Sequence, residues 1–135
     1  MLKIIIDGEP QGKARPRMNT HTKRTYTPAK TRAYEEHIKM CYILQGQGKN
    51  YGESALRVAL YMYYKIPKSD SKATKQNKLN NKIRPTKKPD CDNVAKVILD
   101  ALNGVAYKDD SQVVELECNK YYSEDPRVEI LINEV

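Results

Sequence analysis

The chain has 135 residues, with 24 Lys and Arg against 17 Asp and Glu and a formal charge of +7. That length suits one domain with its own core, and the patterned apolar residues exclude a disordered chain. No run approaches the ~20 apolar residues that cross a bilayer, "MLKIIIDGEP" is too short in apolar residues for a signal peptide, and the basic excess points to an anionic partner, nucleic acid before a membrane surface.

In chain order, residues 2–7, "LKIIID", form a strand that "GEPQG" stops. Residues 10–34 hold Lys13, Arg15, Arg17, Lys23, Arg24, Lys30 and Arg32 with no acid. Pro10, Gly12 and Pro16 make the first part of that stretch a loop. Thr27 and Pro28 then supply a capping hydroxyl and a first-turn proline. They predict a helix from Pro28 to about Leu44, with Tyr34, Ile38, Cys41 and Ile43 or Leu44 facing inward. "SALRVALYMYYKI" alternates strictly. Leu56, Val58, Leu60, Met62, Tyr64 and Ile66 fall on one face of a long strand.

Residues 67–89 form no packed element by pattern. Lys68, Lys72, Lys75, Lys78, Lys82, Arg84, Lys87 and Lys88 face only Asp70, and a loop this long is functional or a solvated insertion. A second helix follows from about Asp92 to Asn103, with Val94, Val97, Ile98, Ala101 and Leu102 as its buried stripe. "VAYK" reads as a short strand and "DDSQ" as a turn. "VVELECNKYY" and "RVEILINEV", joined by "SEDP", read as an antiparallel hairpin. The pattern gives an α+β fold over residues 1–135, with two helices on a mixed, largely antiparallel sheet. Cys41, Cys91 and Cys118 match neither a metal spacing nor a disulfide frame, so reduced thiols in a cytoplasmic protein are expected.

The chemistry lies in "KPDCDNVAKVILDALNGVAYKDD". Asp90 and Asp92 are two apart in a segment held extended by Pro89, so both side chains point to one side. Asp92 also suits the N-cap, a purely structural role. Asp92, Lys96 and Asp100 stack four apart on one helix face. They read either as a surface ion ladder or as a lysine poised one turn from the acids. Asp109 and Asp110 follow a short strand that turns back beside the helix, and are expected to reach the Asp90–Asp92 point. By themselves they are an ordinary acidic turn. Carboxylates without a His or Cys set suit a hard cation, magnesium, and hence phosphodiester hydrolysis. The calcium-loop pattern with its central Gly is absent.

These motifs, with "GEPQGKARPRM" before them and "CNKYY" after, resemble the signature of the RusA family of Holliday junction resolvases. The resemblance spans nearly the whole chain. It implies a homodimeric, magnesium-dependent endonuclease, with manganese as a substitute ion, that makes paired nicks in four-way DNA junctions during recombination and repair. By resemblance, Asp90, Asp92, Asp110 and Lys96 are the catalytic set, and Asp109 joins Asp90, Asp92 and Asp110 as a metal ligand. Arg15 and Arg17 match the N-terminal basic motif and Lys120 the lysine of the penultimate strand. With Lys13, Lys87 and Lys88 they are the expected DNA contacts. The alternative is a nucleic-acid-binding protein of the same fold without catalysis. The long basic loop at about 67–89 departs from the compact members of the family.

Overall fold

A computed structural model describes residues 1–135. Its elements are β1 (Leu2–Asp7), β2 (Arg17–Met18), β3 (Thr25–Tyr26), α1 (Ala29–Gln45), β4 (Leu56–Lys65), α2 (Lys72–Leu79), α3 (Cys91–Ala101), β5 (Val113–Ser123) and β6 (Arg127–Glu134). The main sheet runs β1-β6-β4-β5, and β2 and β3 form a separate small ribbon. β1 and β4 both pair antiparallel to β6, whereas β4 and β5 are parallel. The sheet is therefore mixed and the fold α+β.

β4 owes its central place to its alternation. Leu56, Val58, Leu60, Met62 and Tyr64 are all fully buried under the helices. α1 and α3 bury Tyr34, Ile38, Val94, Val97 and Ile98 against that face. Together these residues belong to one core cluster of 24 buried side chains. The other face of the sheet carries no helix. There Tyr61, Tyr63 and Tyr121 stack along the surface, with ring centroids 6.4 and 5.6 Å apart.

Several expectations need correction, among them the inward place of Ile43 or Leu44 on α1, since both are exposed. The predicted hairpin of the last two strands is not one, because β4 lies between β5 and β6 and residues 124–126 pass over its end. Residues 105–108 make no strand beyond an isolated bridge from Asn103 to Tyr107. There Tyr107 turns fully inward and donates a 2.7 Å hydrogen bond to the Leu99 carbonyl. The basic 67–89 segment contains a third helix, α2, capped by Ser71, whose hydroxyl oxygen accepts from the Thr74 amide. Finally, Pro28 flanks α1 rather than opening it, and α3 starts at Cys91 with Asp90, not Asp92, at its N-cap.

Candidate active site

α3 begins at the C-terminal end of the parallel β4–β5 pair. The Tyr64 hydroxyl donates to the Pro89 carbonyl at 2.6 Å, and Tyr64 is in register with Tyr122. Asp90 follows at once. It is exposed, and its carboxylate makes no capping bond. Asp92 is exposed in the first turn. Both carboxylates thus stand open at the positive end of the helix dipole, where negative charge is favoured.

The "GEPQGKARPR" loop lies across this helix start. A Cβ on Gly12 would sit 3.2 Å from the Cβ atoms of both Asn93 and Pro89, so the glycine lets the loop lie against the helix start without displacing these neighbours by a few tenths of an ångström. The Lys13 amide donates to the Asn93 carbonyl at 3.3 Å, and the Ala14 amide to the Thr31 hydroxyl at 3.2 Å. Between the loop, the start of α1 and the start of α3 is a groove of about 650 Å³. Lys13, Arg15, Lys30 and Lys88 line it, and Asp90 and Asn93 form its wall. A mainly cationic groove that ends on an open carboxylate can seat a phosphodiester beside a cation site.

The other expected residues divide. Lys13 is held inside the protein, its ammonium 2.7 Å from Asp100 and 4.0 Å from Glu35. Asp100 is therefore taken by Lys13, and the Asp92–Lys96–Asp100 ladder does not form. Lys96 is exposed one turn from Asp92, without an ion pair. Arg15 and Arg17 are exposed, as are Lys87 and Lys88. Lys120 is half-buried and folds back on the protein: its ammonium donates to the Lys87 carbonyl at 2.5 Å and lies 4.9 Å from the Tyr64 ring centroid.

Asp109 and Asp110 do not reach Asp90 within one chain. They precede Val113, which pairs with Leu56 at the start of β4, whereas Asp90 lies at the level where β4 ends. α3 fills the gap, an 11-residue helix about 16 Å long at ~1.5 Å per residue. The electrostatics divide in the same way. Burial, then the charges of Asp110, Asp100 and Asp109, push the Tyr107 phenol far above its usual range. Burial, then Cys91, Glu117 and Asp92, push the Cys118 thiol up to about 11. No group of three or more His, Cys, Asp or Glu side chains comes together to hold an ion. The expectation of convergence fails because the chain leaving α3 does not double back: Tyr107 anchors it beneath the far end of the helix. Asp109 itself caps the single 3-10 turn Asp110–Gln112, and bonds from Ser111 hold its carboxyl below the usual range.

Sequence reasoning missed Tyr64, Thr31 and Gly12 as supports of the site. Tyr64 follows the core period of β4, and nothing local marks its contact with Pro89. The glycine in "PQGK" was readable as a turn but not as a point of close approach.

The family model described as "Endodeoxyribonuclease RusA" matches residues 7–133. The uncharacterized protein YqaN of Bacillus subtilis (strain 168) is 37% identical over 138 residues, covering 99% of this chain and 96% of that protein.

Proposed function

Because the chain belongs to the RusA endodeoxyribonuclease family, we propose that it is a magnesium-dependent endonuclease that resolves four-way DNA junctions by paired, symmetric nicks, as a cytoplasmic homodimer. The observation that carries this reading is the cationic groove that ends on the open carboxylate of Asp90, with Asp92 exposed in the first turn of the same helix. A protein that only bound phosphate would gain nothing from acids at that place.

Asp90 and Asp92 offer hard oxygen donors of the kind magnesium takes one or two at a time. A bound ion would supply Lewis-acid stabilisation of charge on the phosphoryl oxygens. Lys96, one turn along, offers a cation for the same developing charge. Arg15, Lys30 and Lys88 orient the backbone in the groove, and the uncapped Asp90 keeps its lone pairs free for the ion.

Asp110 stands a helix length away, so a second copy of the chain is the source of the third carboxylate. β5 is an edge strand whose first half is uncovered, with Val114 59% and Leu116 49% exposed, while the 67–89 segment covers its last residues. Such an edge is a template for pairing. A two-fold contact pairs a strand with itself in antiparallel fashion. It would set the Asp110 end of one copy beside the Asp90 end of the other, twice over. Two equivalent sites on one axis suit two opposed strands of a junction.

The test is a nicking assay on a synthetic four-way junction beside a linear duplex, with and without Mg²⁺. The expected result is paired nicks on the junction only with the ion, and an Asp92→Asn variant that still binds but does not cut. A wild-type protein that binds branched DNA yet never cuts with Mg²⁺ or Mn²⁺ would leave a DNA-binding module instead.

A further inference from the structure

We infer that α2 is a second DNA-backbone contact, a lysine ridge that grips duplex on the side of Asp90 opposite the groove. This rests on the reading above that the substrate is DNA, and adds a surface which that reading does not need.

The segment from Pro67 to Pro89 is not a slack insertion. Its single acid, Asp70, is taken up by Lys78, the one lysine of α2 that turns inward. Lys78 also lies 4.5 Å from the Tyr122 ring centroid, and Arg84 lies 3.9 Å from that of Tyr121. Tyr121 and Tyr122 point to opposite faces of β5. The segment is therefore pinned around the end of that edge strand from both sides. Its remaining cations have no acid to pair with. Lys68, Lys72 and Lys82 are exposed, Lys75 is half-buried, and none joins an ion pair. Lys65, Lys68 and Lys75 face one small hollow of about 170 Å³, with Glu124 its only acid.

Unpaired like charges held on a docked helix repel one another, which costs stability until a polyanion neutralises them. The placement says where such an anion runs. The groove lies on the α1 side of Asp90, and α2 packs on β5 at the other side. A phosphodiester at Asp90 thus has cations on both flanks. Lysine, a point charge on a flexible stem, suits backbone contact without base readout.

The experiment measures binding of a fluorescent four-way junction, without divalent ion, over a series of salt concentrations. The variant carries Lys68→Gln, Lys72→Gln, Lys75→Gln and Lys82→Gln together. Its slope of log affinity against log salt should flatten by about 2 to 4, at roughly 0.9 for each phosphate no longer neutralised. In parallel, lysine acetylation of the wild-type protein read by mass spectrometry should show Lys72 and Lys75 shielded by junction DNA, and Lys39, far along α1, not shielded. An unchanged slope, or Lys72 and Lys75 acetylated equally with and without DNA, would overturn the proposal. Neither readout needs cleavage. A protein that binds but does not cut would sink the nuclease reading and leave the ridge standing, whereas an unchanged slope with normal nicking would do the reverse.

Discussion

The hydroxyl of Tyr64, at the far end of the central strand, donates a 2.6 Å hydrogen bond to the carbonyl of Pro89, the residue just before Asp90. A residue of the core thereby fixes where the first candidate ligand begins. A Tyr64→Phe variant keeps the ring and loses only this bond, a change of about 0.5–1.5 kcal/mol. The expected outcome is a modest fall in melting temperature and a several-fold fall in nicking rate. Junction affinity measured by anisotropy should not change.

Lys120 separates two roles. A phosphate contact and an internal brace both need its charge, but only the first responds to salt. Its ammonium is bonded to the Lys87 carbonyl and lies against the Tyr64 ring. Lys120→Met should therefore slow nicking and leave the salt slope of binding at the wild-type value. A slope flatter by about 0.9 would make Lys120 a DNA contact instead. Lys120→Arg, which keeps the charge, should recover part of the rate.

If each site draws Asp92 from one copy and Asp110 from the other, two inactive variants should restore each other. Asp92→Asn and Asp110→Asn are each expected to abolish nicking alone. Mixed and allowed to exchange subunits, they would form heterodimers with one complete site, and single-strand nicks should return. Each site built within one chain would leave the mixture inactive.

Gly12→Ala tests the close approach of the N-terminal loop. Its new Cβ would stand 3.2 Å from carbons of both Asn93 and Pro89, so the loop or these neighbours must give by a few tenths of an ångström. Nicking is expected to fall at least several-fold, with the groove cations displaced from Asp90, and thermal stability should drop by only about 1 kcal/mol, as surface-loop strain does.

Glu129 gives a pH dependence of known sign. Burial raises its pKa, but hydrogen bonds and charge from Lys3 and Arg127 outweigh burial and hold it below the ordinary value of 4.5. A carboxyl lowered in the folded state stabilises the fold above its unfolded value and loses that contribution as pH falls through the folded one. The urea midpoint of Glu129→Gln should therefore lie below wild type at pH 6, and the gap should shrink below pH 4.5.

The core of the sheet was legible in the residues themselves. The strict alternation from Leu56 to Tyr64 can be satisfied only by a long strand with one face buried, and the stripe from Val94 to Leu102 only by a helix. Strand neighbours were not legible. "SEDP" has the composition of a hairpin turn, and nothing in it says that β4 ends early enough for the link to pass over. α2 escaped notice because it has no apolar stripe. It is held by the Ser71 cap, the Lys78–Asp70 pair and the Tyr122 ring, contacts that exist only once β5 is in place. The acids behave likewise. "PDCD" and "DD" are close in sequence, yet the helix between them is a rigid spacer, and local spacing cannot tell a ligand set within one chain from one shared by two.

The sheet order also bears on how the protein comes into being. β6, the latest of the strands in chain order, is inserted between β1, the earliest, and β4. Until residues 127–134 have emerged from the ribosome, β1 has no partner in the main sheet and one of the two edges of β4 stays bare. Folding must wait for translation to pass this strand, because pairings this distant in sequence close late. A growing chain therefore has no closed sheet beneath α3, and the Asp90 end of that helix, which Tyr64 of β4 helps to place, takes its final position only once β6 is free of the ribosome.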